Sequence, residues 1–156
     1  MTASRGEGRW HQTAPWILLA LLGPPGIAVG GYLTYSRLAD EATVCAGIGQ
    51  CELVQTSEYS EIAGVPVALM GVFYFAAVSL LALARLRRAP GTVEWAPPAV
   101  FSMALAATAF VAYLTYVEVF VLEAICPWCV SLATLTAVSL LLAVWAVLSP
   151  QDAQGP

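Results

Sequence analysis

The chain has 156 residues, of which 60% are hydrophobic and 10% are charged. Soluble domains carry about 25% charged residues, so this composition favours an integral membrane protein. Arginine supplies all six cations, and the ten acidic residues outnumber them. Because nucleic-acid-binding surfaces need clustered positive charge, the composition argues against a nucleic-acid partner.

Four apolar stretches are each about as long as a membrane-spanning helix, which needs about 20 apolar residues. They predict a single-domain, all-α integral membrane protein over residues 1–156, a four-transmembrane-helix bundle with one large extracytoplasmic loop between helices 1 and 2. The predicted segments are 16–36 (first span), 37–64 (outer loop), 65–84 (second span), 85–97 (cytoplasmic turn), 98–117 (third span) and 126–148 (fourth span).

The first span contains Gly23-Pro24-Pro25-Gly26, which we expect to kink or break the helix. Such interruptions are tolerated in membranes when neighbouring helices or ordered water satisfy the freed carbonyls. A signal peptide is the alternative interpretation of this stretch. It is less favoured, because the apolar run is too long for a secretory h-region and no A-x-A site ends it.

The arginines predict how the chain is oriented in the membrane. Arg5 and Arg9 precede the first span, and Arg85, Arg87 and Arg88 follow the second. Cytoplasmic segments carry the excess of positive charge, so both termini are predicted to lie in the cytoplasm of a plasma or inner membrane. The outer loop and the start of the fourth span then lie on the extracytoplasmic side.

Four cysteines are the chain's conventional redox set, and this topology predicts all of them outside. Cys126 and Cys129 are spaced i, i+3 at the start of the fourth span, where Pro127 suits the first helical position. A helix N-terminus and a C-x-x-C context both favour thiolate, the species that attacks disulfides. Cys45 and Cys51 enclose a loop with two glycines, which is typical of a movable pair that shuttles electrons.

Other interpretations of the cysteines remain open at this level. Both pairs would also serve as static structural disulfides, which are common outside the cytoplasm. A four-thiolate metal site, or a thiolate-based membrane metal carrier, is a third interpretation. Zinc sites usually pair C-x₂₋₄-C units, however, and transporters place ligands near the bilayer midplane, where this chain offers only its Gly-Pro break.

The remaining polar candidates have simpler interpretations. His11 is the sole histidine and is predicted to be a solvated residue of a polar N-terminal tail. Glu118 and Glu123 would steer a partner or supply protons, but a solvated loop face is the favoured interpretation.

Several segments of the chain carry a resemblance to a known family, namely Gly31 to Tyr35, Cys45, Cys51 to Ser60, Gly64 to Val67, Gly71 and Cys126 to Cys129. Together they resemble the vitamin K epoxide reductase family, in its compact bacterial form without a fused thioredoxin-like domain. The order of the cysteines makes the resemblance specific, because the other bacterial family of quinone-coupled disulfide oxidases carries its C-x-x-C in the first outer loop.

The resemblance implies a role for each cysteine. Cys45 and Cys51 are similar to a shuttle pair that oxidises a separate thioredoxin-like extracytoplasmic partner. Cys51 is similar to the thiol that forms a mixed disulfide with Cys126, and Cys129 to the thiol that faces a quinone, either ubiquinone or menaquinone. The implied function is disulfide formation in exported proteins, without a metal, and vitamin K epoxide reduction proper is the alternative.

The resemblance also suggests a quinone pocket. Ser57 matches the family's loop serine near the quinone, although a turn-capping hydroxyl explains it equally well. Val67 and Ala133 stand where vertebrate members present an asparagine and a tyrosine, so plain quinone reduction is favoured over epoxide reduction. Aromatic residues near the outer ends would line the pocket or form an interfacial belt, namely Phe73, Tyr113, Tyr116, Phe120 and Trp128.

Overall fold

The computed structural model describes residues 3–39, 41, 43–45 and 49–149, and side chains from Trp10 onward. Gly47, one of the two glycines between Cys45 and Cys51, lies outside the described residues. The side chains of Arg5 and Arg9, which contribute to the predicted orientation, are also outside the described set.

Five α-helices, one 3₁₀ helix and a two-stranded antiparallel hairpin make up the described chain. Four of these helices are long and apolar enough to cross a membrane, so the prediction of an all-α membrane bundle with four spans is confirmed. In chain order the elements are α1 (Ala3–Leu38), α2 (Cys51–Gln55), the 3₁₀ helix (Glu58–Ser60), β1 (Glu61–Ile62), β2 (Val65–Pro66), α3 (Val67–Leu86), α4 (Thr92–Phe120) and α5 (Pro127–Leu148).

The central packing cluster lies at the end of the bundle that holds the α3–α4 turn. There α1 packs against α3 and α5, and α4 packs against α5. Small side chains dominate, which lets helices approach closely in the absence of a hydrophobic driving force from water. The buried members are Trp16, Leu19, Val78, Ala82, Ala96, Val100, Ala104, Ala143 and Ala146.

The first span is not broken at Gly23-Pro24-Pro25-Gly26, because α1 is helical throughout this segment. Proline at position 24 has no N–H to donate to the Ala20 carbonyl, but the Ser79 hydroxyl of α3 donates to that oxygen at 2.8 Å. A side chain at Gly26 would clash with the Phe75 ring. The motif therefore brings α1 and α3 together, and a neighbouring helix supplies the missing donor.

A second proline in α1 has a similar effect near the N-terminus. Pro15 leaves the His11 carbonyl without its helical donor, and the Ser149 hydroxyl lies 3.4 Å from that oxygen. The His11 ring lies 6.4 Å from the Trp145 ring. His11 is exposed, as predicted, but it lies within α1 rather than in a polar tail, and its ring lies beside the end of α5.

Helix α4 is longer than the predicted third span at both ends. It begins at Thr92 rather than near residue 98, after Gly91 adopts a left-handed conformation with φ of 78°. Pro97 and Pro98 lie inside this helix, where they remove only the bonds to the Val93 and Glu94 carbonyls. At the other end α4 continues to Phe120, which brings Glu118 into the helix.

The predicted outer loop has local structure that ties it to the bundle. Helix α2, the 3₁₀ helix and the β1–β2 hairpin follow one another directly. An ion pair of 2.9 Å joins Arg37, at the end of α1, to Glu61 of β1. The loop therefore lies over one end of the helices rather than extending away from them.

Candidate functional site

The loop cysteines form a disulfide. Cys45 and Cys51 are bonded, with their Cα atoms 6.0 Å apart. The Cys51 backbone N–H also donates to the Cys45 sulfur at 3.1 Å. Cys51 begins α2 and is buried, whereas Cys45 is partly exposed. A protein approaching from solvent therefore reaches Cys45 more readily than Cys51.

Side chains of α1 and α5 hold the residue before this disulfide through hydrogen bonds to its backbone. The Val44 N–H donates to the Tyr32 hydroxyl at 3.0 Å, and the Trp128 indole N–H donates to the Val44 carbonyl at 2.9 Å. The Tyr32 and Trp128 rings lie 5.4 Å apart. Residues on α1 and α5 thus fix the residue that immediately precedes Cys45.

Gly49 and Gln50 make the closest approach of the loop to this segment. The Gln50 N–H donates to the Ile125 carbonyl at 3.1 Å. Gly49 has φ of +89°, and a side chain there would collide with the Ile125 oxygen and with Pro127. Only glycine adopts this backbone readily and leaves room for the contact, so Gly49 sets how close α2 lies to α5.

The second cysteine pair lies directly beside the first. Cys126 and Cys129 are free thiols, and Cys126 immediately precedes α5, with Pro127 at the first helical position as predicted. Cys126 is fully buried and shares one packing cluster with Cys51, Val54 and Ala124. The fold therefore brings together two pairs that are 75 residues apart in the sequence, counted from Cys51 to Cys126.

The two thiols of the second pair have different environments. A hydrogen bond from the Cys129 thiol lowers the pKa of Cys126 to about 7, from an ordinary value of 9.0. The backbone N–H groups of Cys129 and Trp128 lower this pKa further, while burial and Glu118 raise it. Cys126 is thus the thiol of the pair that is stabilised as a thiolate, as expected at a helix N-terminus.

Glu118 is the main residue of the site that sequence analysis misplaced. Only 7% of its surface is exposed, so the prediction of a solvated loop face is wrong for this residue. Its carboxyl group interacts with the Cys129 thiol and with the Cys126 backbone N–H. Glu123 is exposed, as predicted.

A cavity of about 640 Å³ extends from Cys129 along α3, α4 and α5. Its walls are mainly apolar, and residues of α2 and the 3₁₀ helix close its loop end. The predicted site residues that line it are Ser57, Val67, Phe73, Cys129 and Ala133, and Glu118, predicted on a solvated loop face, lines it as well. The lining residues that sequence analysis missed include Tyr59, Tyr74, Phe110, Leu114 and Thr136.

Four predicted pocket residues lie elsewhere. Tyr113 and Tyr116 do not line the cavity, and they are 52% and 57% exposed on the outer face of α4. Trp128 also lies outside the cavity, because its indole is held by Val44 and Tyr32. Phe120, at the end of α4, is likewise exposed.

Ser57 lies in the turn between α2 and the 3₁₀ helix. Ser57 lines the cavity, and its side-chain hydroxyl donates a hydrogen bond to the Val54 carbonyl at 2.7 Å. The serine thus stabilises the turn after α2 and borders the cavity at the same time. Within the described residues, no group of three or more histidine, cysteine or acidic side chains is arranged to hold a metal ion.

Comparison with known protein families gives one match over most of the chain. The model of the vitamin K epoxide reductase family matches residues 16–144. The matched region contains all four cysteines, Glu118 and every residue that lines the cavity. We conclude that this chain belongs to the vitamin K epoxide reductase family and is a membrane thiol–disulfide oxidoreductase.

Proposed function

We propose that this protein passes two electrons from a thioredoxin-like dithiol, through Cys45/Cys51 and then Cys126/Cys129, to a quinone. One observation supports this proposal above the others. Cys126 packs against Cys51 on the loop side, whereas Cys129, one helical turn later, lines the apolar cavity. The second pair therefore stands between a disulfide that a protein partner can reach and a cavity that suits a lipid-soluble acceptor.

The proposed relay follows from the exposure of the sulfurs. A partner thiolate attacks the more accessible Cys45 and releases Cys51 as a thiolate. Cys51 then attacks Cys126 of an oxidised Cys126–Cys129 pair, and Cys129 leaves. Finally, the second thiol of the partner releases Cys45, and Cys45 attacks Cys51, which frees Cys126. The result is a Cys45–Cys51 disulfide beside a Cys126/Cys129 dithiol, which is the combination of bonds in this structure.

The acceptor site is consistent with a quinone in size and polarity. Ligand pockets of about 300–1,000 Å³ with mostly apolar walls hold small molecules, and the cavity lies within that range. A quinone supplies the two-electron acceptor that turns the Cys126/Cys129 dithiol into a disulfide and leaves as the quinol. Ser57 and Glu118 would orient its ring near Cys129, and the apolar side chains of α3 and α4 would exclude water.

The residues at two positions favour plain quinone reduction. Val67 and Ala133 both line the cavity, and neither side chain carries a hydrogen-bonding group. An epoxide oxygen would therefore find no side-chain donor at these two positions, whereas a quinone ring needs none there beyond Ser57 and Glu118.

We further propose that the cysteines face the extracytoplasmic side and that the protein makes disulfides for exported proteins. The arginines at positions 85, 87 and 88 support this orientation through the positive-inside rule. Impermeant thiol reagents should label the reduced cysteines from outside the cell, and tags at both termini should be protected. Labelling from the cytoplasmic side alone would reverse the proposed orientation.

The decisive experiment is anaerobic turnover of the purified protein. A reduced thioredoxin-like protein and a short-chain quinone are mixed with the enzyme, and quinol and partner disulfide are both quantified. We expect equal amounts of the two products. A Cys129→Ser variant is the matched control, because it keeps the fold and a hydroxyl but cannot close the second disulfide. Partner oxidation without quinol would contradict the quinone as acceptor.

A further inference from the structure

Glu118 is a buried acidic residue within a spanning helix, and the proposed relay gives it no part in proton transfer. Ionisable side chains inside membrane spans are costly, and they usually mark functional sites. Glu118 is 7% exposed, lines the cavity and interacts with the Cys129 thiol. It therefore contacts both a reacting sulfur and the space next to that sulfur.

The two sulfurs of the reduced Cys126/Cys129 pair differ in protonation. The Cys126 sulfur is the one stabilised as a thiolate, so the remaining proton of the reduced pair is on Cys129. The Cys126 sulfur and the Glu118 carboxylate both interact with the Cys129 thiol. When Cys126 and Cys129 join, the Cys129 proton has to leave, and the Glu118 carboxylate is the neighbouring acceptor.

We infer that Glu118 is a catalytic proton carrier, which takes the proton of Cys129 as the disulfide closes and delivers it to the acceptor in the cavity. This inference rests on the proposed quinone reduction. The bond that forms is Cys126–Cys129, and two electrons leave the pair for the quinone. One of the two protons of the quinol comes from Cys129 through Glu118, and the other comes from water.

The described cavity wall contains few titratable side chains other than Glu118 that would carry this proton. The other titratable side chains among the described lining residues are Tyr59 and Tyr74, besides Cys129, and none of these lining residues is basic. The Tyr74 hydroxyl is held by Ser139 of α5 at 2.5 Å. Cys126 faces Glu118 from the segment before α5. No cation of the cavity wall therefore competes for the carboxylate.

A purely structural role is the alternative to be tested. Glu118 interacts with the Cys126 N–H, and its carbonyl accepts the Ala124 N–H at 3.0 Å, so it also shapes the turn before Cys126. A Glu118→Gln substitution keeps the size of the side chain and one acceptor oxygen but cannot carry a proton. Glu123→Gln is the matched control, because Glu123 is exposed in the same turn.

The first measurement is infrared difference spectroscopy and needs no quinone. In a Cys45→Ser, Cys51→Ser background only the second pair is redox active, and a small thiol oxidant closes it. Closing the disulfide releases the Cys129 proton beside a buried carboxylate, and burial favours the neutral acid. We expect the carbonyl band of a protonated carboxylic acid to appear on oxidation, to persist with Glu123→Gln and to vanish with Glu118→Gln. The absence of any band that depends on Glu118 would overturn the inference.

The second measurement is steady-state quinone reduction with a small dithiol in the otherwise native chain. General acid–base catalysis contributes about 10²–10⁴-fold, so Glu118→Gln should lower kcat by about 10²-fold, change KM for the quinone little and alter the pH profile. Glu118→Asp should recover part of kcat, and Glu123→Gln should match the native enzyme. An unchanged kcat in Glu118→Gln would contradict the role.

The two measurements separate failure of this inference from failure of the proposed function. If the native enzyme reduces no quinone but the infrared band follows the redox state of the pair, the quinone proposal falls and the proton role of Glu118 stands. If the native enzyme reduces quinone and neither measurement responds to Glu118→Gln, the proposed function stands and the proton role falls.

Discussion

The two ends of the helix bundle differ in packing, because one end is closely packed and the other encloses a cavity. At the end with the α3–α4 turn, small residues such as Ala82, Ala96 and Ala143 are fully buried between helices. At the other end, α3, α4 and α5 surround a cavity of about 640 Å³. The loop that covers this cavity is held by a few hydrogen bonds and an ion pair. Close packing stabilises a single arrangement, whereas disulfide exchange needs groups that can separate and rejoin. The comparison suggests that the packed end holds the fold while the open end performs the chemistry.

The largest expected effect comes from the cysteines of the open end. Cys126→Ser or Cys129→Ser should abolish quinone reduction, even by a small dithiol that bypasses the loop, because the second disulfide can no longer form. Cys45→Ser or Cys51→Ser should impair oxidation of a protein partner more than oxidation of a small dithiol. Steady-state rates with both reductants measure this difference, and equal losses in all four variants would show that there is no relay.

The mixed disulfide offers the next test, because it requires the loop and α5 to exchange partners. Cys129 is the thiol that leaves when Cys51 attacks Cys126, and Cys45 is the one that would release Cys51 again. A Cys45→Ser, Cys129→Ser variant should therefore accumulate a Cys51–Cys126 bond. Peptide mapping without reductant detects the linked peptide. Recovery of free thiols alone after mild oxidation would mean that the pairs do not meet.

A substitution at Gly49 tests whether the close contact between the loop and the segment before α5 matters for electron transfer. Its positive φ and its contact with the Ile125 carbonyl make Gly49→Ala strained, at a cost of about 1–3 kcal/mol. The substitution should shift α2 away from α5 and slow electron transfer from a protein partner by about tenfold or more, since 1.4 kcal/mol is a factor of ten. Reduction by a small dithiol, which acts directly on the second pair, is the internal control. Equal slowing with both reductants would assign the effect to the fold as a whole.

Gly26 provides the corresponding test at the helix interface. An added methyl group would overlap the Phe75 ring, and overpacking costs about 1–3 kcal/mol. Gly26→Ala should therefore lower the midpoint of thermal unfolding in detergent. Gly31→Ala is the matched control on the same helix, because nothing lies within 4 Å of the added atom. If both variants unfold like the native protein, the α1–α3 interface is looser than this structure implies.

The smallest effect concerns the acidity of Cys126. A pKa of about 7 makes Cys126 mostly thiolate at pH 8 and mostly thiol at pH 6, whereas an ordinary thiol with a pKa of 9.0 is protonated at both. Cys129→Ala removes the largest stabilising interaction and should raise the pKa towards 9.0. Cys129→Ser keeps a hydroxyl donor and should raise it less. Ultraviolet absorbance of the thiolate against pH, with Cys45–Cys51 oxidised, follows the titration, and identical curves for both variants would exclude the hydrogen bond as the cause.

Glu118 and the aromatic residues show where sequence reasoning reached its limit. The predicted third span ends at residue 117, which places Glu118 just outside it, but α4 continues to Phe120. An acidic residue inside that span would have signalled a functional site. Tyr113 and Tyr116 were assigned to the pocket from their position along the chain alone. That position does not determine which face of α4 they occupy, and both lie on the outer face.

The sequence by itself determined the four spans, the two cysteine pairs and the family, because apolar length, charge and residue order are written along the chain. It also anticipated that a neighbouring helix would satisfy a carbonyl freed by proline. Only the tertiary structure decided that Cys51 lies beside Cys126, that Cys129 and Glu118 share a cavity, and that Gly26 is a packing contact. These features depend on which faces of distant helices meet, and the local pattern of residues does not specify that choice.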